Sequence, residues 1–337
     1  MTSIDDVARA SGVSTATVSR ALRGLPNVSE HTRERIRVTA ERLGYVASSS
    51  ASGLATGRTR AMGVVVPSVS RWFYTSVLEG IDAELRAASY DLILFNLGGR
   101  NGDRDRVFHR SILRKRTDAL IALCLDFTED EREQLLLTGH PVIIVGGPVR
   151  GLRHIGIDER AVARKATEHL IGLGHRRILH VGGEDDDGLN RRVPLARRQG
   201  YRDAMTAAGL EVPPGWSLQG KFSLGRSREA VAHFLGTSDT RPTAIFAASD
   251  AMAIGAMLAI REHGMSVPQD ISVIGIDDDD LAAPFGLTTM AQDPYAQGCT
   301  AVDVLLDELN GRPGRVTSVR APAHLVERTS TAPPPVE

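Results

Sequence analysis

Apolar and small residues recur every three or four positions through the first 45 residues of the chain, and beyond residue 60 they gather instead into short unbroken runs. The first spacing is that of helices packed on one face; the second is that of strands buried on both faces. In the helical part, Ile4, Val7, Ala8 and Ala10 form one face, Ser3 supplies an N-cap, and Asp5 and Asp6 sit in the first turn. Ser11-Gly12-Val13 breaks the pattern, because Gly12 accepts the left-handed conformation of a sharp turn and Ser14 can cap a second helix. There the spacing places Ala16 against the first helix, turns Val18 and Leu22 inward, and leaves Thr15, Thr17, Ser19 and Arg20 outside. Ser29 caps a third helix to Leu43, with Ile36, Ala40 and Leu43 in step. Three helices around one small core predict an all-α helix-turn-helix headpiece over residues 1–46, a motif that presents its second helix to the DNA major groove. A plain terminal helical hairpin fits the first two helices as well; the third weighs against it.

Residues 47–60 are small and polar, Ser48-Ser49-Ser50-Ala51-Ser52-Gly53 followed by a lone large apolar residue, Leu54, and read as a linker. From Met62 onward, apolar runs alternate with helical spacing, the rhythm of parallel sheets flanked by helices. Gly63–Val66, Leu92–Phe95, Ala119–Leu123 and Val142–Val145 are one series of strands, with Val77, Ile81, Leu85 and Ala88 on a helix between the first two. The helix Val162 to Leu173 opens a second series with strands Ile178–Val181, Ala244–Ala247 and Ser272–Ile276. Two successive doubly wound α/β units are expected.

Charge changes this picture at one end only. The net charge is −1, yet residues 1–60 carry nine arginines against five carboxylates, so the basic surplus lies on the helical end, as phosphate neutralisation requires. Cys124 and Cys299 lack metal-ligand spacing and read as free thiols of a reducing compartment. With no basic-apolar leader and no run of about 18 apolar residues, a cytoplasmic protein without membrane partners is expected. The acidic runs Glu184–Asp187 and Asp277–Asp280 lack the alternation of a calcium loop, His109, His140 and His175 have no partners at ligand spacing, and neither a phosphate-cradling loop nor a nucleophile-base pair is present. No metal, no cofactor and no catalysis are expected.

Ile4-Asp5-Asp6-Val7-Ala8, Gly12-Val13-Ser14, Thr17-Val18-Ser19-Arg20, Asn27-Val28-Ser29 and Thr32-Arg33 resemble the headpiece of LacI/GalR-type transcriptional repressors. Similarity continues through Gly156-Ile157-Asp158, His169 to Ile178, Ser249 to Gly255, Val267 to Asp277 and Leu325 to Thr331. The resemblance implies a two-lobed body over residues 61–331, similar to periplasmic sugar-binding proteins. Lobe 1 would take about 61–158 and 291–322, lobe 2 about 159–290 and 323–331, with three crossings between them and a disordered tail, 332–337. It also implies that the linker becomes a hinge helix on DNA, with Leu54 wedged into the minor groove. The sequence departs from the commoner pattern here, having Ala47, Ser48 and Ser52 where Pro, Asn and Arg are frequent, and a flexible tether with an incidental leucine fits the same residues.

The resemblance and the outward positions together give the expected contacts. Thr15, Ala16 and Arg20 face base edges, Arg20 pairing with a guanine and the two methyls touching a thymine. Ser14, Thr17, Ser19 and Asn27 bond phosphates. In the body, ligands bind beyond the carboxyl ends of strands. After the first strand comes Arg71-Trp72-Phe73-Tyr74, where the family more often has Asn-Pro at the first two places; Phe73 and Tyr74 offer flat faces to a sugar or base, or pack the helix start. Arg197 matches the arginine with which the family fixes its effector, although Arg191, Arg192 and Arg198 nearby also fit a solvated basic loop. Asp277 looks like the family's hydroxyl acceptor, and Ser249 and Asp250 follow another strand in the same way.

The sequence is thus read as a homodimeric repressor of sugar or related metabolic genes that binds a palindromic operator and responds to a small-molecule effector, a sugar or sugar derivative, which either releases or tightens DNA binding. Its dimer surface is expected on the helix of Tyr295, Val302, Leu305, Leu306 and Leu309, opposite Val77 and Ile81, residues that core packing explains equally well. The rivals are a sugar receptor without DNA function and an α/β enzyme with a regulatory head.

Overall fold

A computed structural model describes residues 2–22, 24–45, 58–98, 104–109, 116–137, 139–183, 190–312 and 318–335. Leu54, Ala47, Ser48 and Ser52, and with them the expected hinge, lie outside these residues. The chain forms two compact units, residues 1–60 and 61–337. In the first, helices α1 (Ile4–Ser11), α2 (Thr15–Leu22) and α3 (Glu30–Arg42) enclose Val7, Ala8, Val18, Ala21, Ile36 and Ala40. Ser3 caps α1 in a reciprocal capping box with Asp6, Gly12 takes the left-handed φ of 65°, and Ser29 caps α3. Two inward positions differ from expectation. Ala10 is exposed and Ser11 buried, its hydroxyl bonding back to the Val7 carbonyl; Ala16 is exposed and Ala21 fills the place against α1. In α1 the inward positions Ile4, Val7, Ala8 and Ser11 fall at i, i+3, i+4 and i+7, and in α2 Val18 and Ala21 are three apart; Ala10 and Ala16 lie off these stripes.

The second unit contains two six-stranded sheets. The first, ordered β11-β5-β4-β3-β1-β2, uses β1 (Ala61–Val66), β2 (Asp91–Asn96), β3 (Ala119–Leu123), β4 (Val142–Val145), β5 (Arg153–Gly156) and β11 (Ser318–Arg320), all parallel. Between these strands run α4 (Trp72–Ala87), α5 (Arg104–His109) and α6 (Glu129–Leu137). The second sheet, ordered β12-β10-β9-β8-β6-β7, uses β6 (Ile178–Gly182), β7 (Ser217–Gln219), β8 (Ala244–Ala247), β9 (Ser272–Asp277), β10 (Thr288–Ala291) and the antiparallel β12 (His324–Val326). Its helices are α7 (Glu159–Gly172), α8 (Arg192–Ala207), α9 (Leu224–Thr237) and α10 (Asp250–Glu262), and α11 (Pro294–Leu309) returns to the first sheet. Alternation along the strands divides each lobe's core in two: Met62, Val64, Ile121 and Leu123 face α4 and α11, while Val65, Leu120 and Ile144 face the opposite side. The chain crosses between lobes after β5, after β10 and between β11 and β12.

Helices α4 and α11 pack closely because two glycines let their backbones meet. A Cβ on Gly80 would stand 2.1 Å from the Tyr295 carbonyl oxygen, and one on Gly298 2.3 Å from that of Val77. Gly80→Ala is therefore expected to lower stability by roughly 1–3 kcal/mol, the usual cost of overpacking, read as a shift in the urea midpoint without a change in slope. Val77, Ile81, Val302 and Leu305 are fully buried in this same core, so they belong to the protomer's interior; of the expected dimer residues only Tyr295 is largely exposed. The tail also departs from expectation. Ala332 bonds Ser272 through both its N–H and its carbonyl, the carbonyl also accepts from His175 Nε2 at 2.8 Å, and Pro334 lies against Gly174, so residues 332–335 follow the second lobe rather than forming a loose end.

Candidate functional site

On α2, Ala16 and Arg20 lie one turn apart and are exposed, with Thr15, Thr17 and Ser19 half-buried beside them. Ser14 accepts from the Thr17 N–H at 3.2 Å and so starts the helix, and its hydroxyl also meets that of Thr17. Asn27 is exposed with a φ of 69°, a conformation that asparagine tolerates better than most residues. Arg33 holds the turn after α2 by donating to the carbonyls of Ala21 and Leu25. Among the described residues Arg37 is neutralised between Glu34 and Glu41, whereas Arg20 has no ion pair. The helix thus offers an unpaired guanidinium and two methyl groups on one outward face.

In the body, the carboxyl ends of six strands converge on one cleft. Arg71, Phe73 and Tyr74 follow β1, Cys124 follows β3, Glu159 follows β5, Asn190 and Arg197 follow β6, Phe222 follows β7 and Asp277 ends β9. Of the six expected effector residues, Phe73, Tyr74, Arg197 and Asp277 line this cleft. Ser249 and Asp250 do not. Ser249 caps α10 through the Met252 N–H, and Asp250, with no exposed surface, accepts from the Thr289 hydroxyl at 2.7 Å and the Asp279 N–H at 3.0 Å. They sit at a helix start whose side chains turn back to the sheet, and there Asp250 braces the loop that carries Asp277.

Sequence reasoning missed Glu159, Asn190, Phe222 and Cys124. The strand-end rule reaches each of them, Glu159 and Phe222 only once the short β5 and β7 with their weak apolar runs are in place, Cys124 and Asn190 already after the expected strands β3 and β6. Cys124, Phe222 and Asp277 also have positive φ values of 46°, 50° and 131°, and strain of this kind gathers where surrounding structure holds a binding site in shape.

Arg197 is 4% exposed, which settles the choice against a solvated loop for this residue. It donates to Glu159 at 2.6 Å and to the Ala248 carbonyl, and stands 4.0 Å from Asp277. Its neighbours span the cleft instead: Asp126 of lobe 1 accepts from the Arg191 N–H and pairs with Arg192 at 2.7 Å. Phe73 meets Tyr74 edge-on, with centroids 5.9 Å apart, and Arg71 lies over the rings of Tyr74 and Phe222 at 5.9 and 5.3 Å. Burial pushes the Asp277 carboxyl up to about 7, against the pull of Arg197, and burial with the Asp277 charge holds Asp250 well above the usual carboxylate range. Burial raises the Cys124 thiol to about 12, so it lines the cleft as an inert apolar surface.

A carboxyl raised on folding favours the fold below its ordinary value of 3.8, and this contribution is lost as the pH rises through about 7. Asp277→Asn has nothing to titrate there and still accepts from Gln292. The variant should therefore gain stability relative to the parent between pH 5 and pH 8, measured as the difference in urea midpoints; a difference that stays flat would remove the buried carboxyl from this role.

A helix-turn-helix unit joined in one chain to a two-lobed body with a cleft lined from both lobes defines a DNA-binding transcriptional regulator that answers to a small molecule. Residues 3–48 match the lacI family of bacterial regulatory proteins, and residues 167–331 match the periplasmic binding protein-like domain. Catabolite control protein A of Priestia megaterium is 32% identical over 332 residues, 97% of this chain and 98% of that protein. Among solved structures, the lac repressor dimer bound to operator and the anti-inducer ONPF aligns with a TM-score of 0.86 at 26% identity, over 98% of this chain and 99% of that one. A complex of the transcriptional regulator CelR with cellobiose aligns with a TM-score of 0.71 at 28% identity, over 98% and 100%. The chain belongs to the LacI family of transcriptional regulators. Among the described residues, no helix is long and apolar enough to cross a membrane.

Proposed function

We propose that this protein is a cytoplasmic, non-enzymatic repressor that binds a near-palindromic operator as a homodimer and releases or tightens it when a small molecule enters the cleft. The observation that carries the reading is the outward face of α2, where Arg20 is unpaired among the described residues beside Ala16 and Thr15. In this reading Thr15, Ala16 and Arg20 touch bases, Ser14, Thr17, Ser19 and Asn27 fix the register on phosphates, and Leu54 enters the minor groove. The lac repressor dimer bound to operator supports the partner, and the CelR-cellobiose complex supports a sugar or sugar derivative in the cleft. Phe73 and Tyr74 supply the flat face, while Arg197 and Asp277 grip hydroxyls. The functional division follows the expected boundaries: headpiece 1–46, hinge 47–60 and effector body 61–331.

Selection of purified protein against a randomised DNA pool at fixed salt tests this. Enrichment of a two-fold symmetric consensus whose occupancy changes with one compound of a sugar panel is the expected result, with affinity falling steeply as salt rises. Absence of enrichment at every salt concentration overturns it in favour of a sugar receptor without DNA function.

A further inference from the structure

The two guanidinium groups of the cleft differ in how far their charge is already answered. Arg197 has Glu159 at 2.6 Å, Asp277 at 4.0 Å and the Ala248 carbonyl around it. Arg71 also lines the cleft, but its contacts among the described residues are two aromatic faces, Tyr74 of lobe 1 and Phe222 of lobe 2, and no carboxylate is paired with it. Aromatic faces hold and orient a guanidinium without neutralising it, and they leave its N–H edge available to an incoming acceptor. The charges add in the same direction. Of the two carboxylates lining the cleft, Glu159 is engaged by Arg197, and Asp277 sits far enough from water to be only partly ionised near neutral pH. The unanswered charge of the cleft is thus positive and belongs to Arg71.

We propose that the effector is an acidic hydroxylated ring compound, a sugar phosphate or a sugar carboxylate, whose anionic group is received by Arg71 while its hydroxyls meet Arg197 and Asp277. This deepens the effector reading above and rests on it. Geometry adds to charge: Arg71 bridges residues of both lobes, so an anion held there is also placed where the lobes meet. A planar fork accepts either a phosphate or a carboxylate through two parallel hydrogen bonds, which is the chemistry that the two candidate ligands share.

The test is calorimetric titration of the full-length protein and its Arg71→Gln variant with matched probes: glucose, glucose 6-phosphate and glucuronate, and ribose with ribose 5-phosphate. The expected result is that an acidic member binds at least about tenfold more tightly than its neutral counterpart and loses that advantage in Arg71→Gln, as removal of a charge-assisted contact requires. The phosphate and carboxylate arms tell the two sources apart. Binding of a neutral sugar as tight as its acidic partner, or an acidic preference that survives in Arg71→Gln, overturns the proposal while leaving the cleft as the effector site. No binding by any probe, charged or neutral, counts against both readings. Thermal melts of both proteins check that the variant is folded, Arg71 being half-buried at a helix start against the rings of Tyr74 and Phe222.

Discussion

Arg20→Ala is expected to cut the preference for the selected operator over scrambled DNA by roughly 5- to 150-fold for each half-site, the equivalent of the roughly 1–3 kcal/mol that one bidentate arginine-guanine pair supplies. Arg20 is exposed in the last turn of α2, and no carboxylate competes for it among the described residues, so its guanidinium is free to reach a base edge. Truncation removes nothing from the headpiece core, because Val18 and Ala21 carry the inward face of α2. The fold should hold to within about 0.5 kcal/mol, as for other exposed substitutions. Competition binding against specific and scrambled duplexes, with thermal melts of both proteins, separates recognition from stability. Ser14→Ala is the contrasting variant. Its hydroxyl starts the helix and is proposed to meet a phosphate, so its loss should weaken binding to every sequence alike and leave the preference in place. If Arg20→Ala keeps the parental preference, base reading has to be reassigned to Thr15 and Ala16.

The headpiece was legible in the sequence because local chemistry decides it. Ser3, Gly12, Ser14 and Ser29 mark the helix ends by capping and by the left-handed turn, and these signals depend on neighbours within four residues. What the sequence misplaced was phase. In helices of eight residues an alanine fits either face, so Ala10 and Ala16 were drawn inward, whereas Ser11 and Ala21 take those places once three helices meet. The strands with unbroken apolar runs, such as Ala119–Leu123 and Val142–Val145, were equally plain, while Arg153–Gly156, Ser217–Gln219 and Ser318–Arg320 carry too little apolar sequence to stand out. The cleft inherited this unevenness. Glu159 and Phe222 follow weak strands and are hidden with them, whereas Cys124 and Asn190 follow plain strands but carry no distinctive chemistry in sequence; Ser249 and Asp250 also follow a plain strand, but there one caps a helix and the other braces a neighbouring loop, roles that look like ligand contacts in sequence.

The largest effect in the body is expected at Arg197. With this guanidinium gone, Glu159 and Asp277 remain in the cleft without their shared cation, and breaking a buried pair from one side costs about 3–5 kcal/mol. Arg197→Ala should therefore lower the body's unfolding midpoint and abolish the effector response together, which alone does not separate a structural part from a binding part. The pair Arg197→Met with Glu159→Gln separates them. It removes the Glu159 charge with the cation, leaves the already raised Asp277 carboxyl to hold its proton, and keeps the volume near α8, so most of the stability should return, yet no planar donor remains for vicinal hydroxyls and the effector response should stay absent. Arg197→Lys gives the complementary result. Its charge still answers Glu159, so the fold is kept, but a single ammonium replaces the fork and effector affinity falls by at least about tenfold. Operator binding in the absence of effector should survive in both of these variants, because their changes lie in the body and the proposed reading face lies on α2. If the double variant regains both stability and response, the role of Arg197 is confined to balancing Glu159, and the hydroxyl-binding function passes to Asp277 and its partner Gln292.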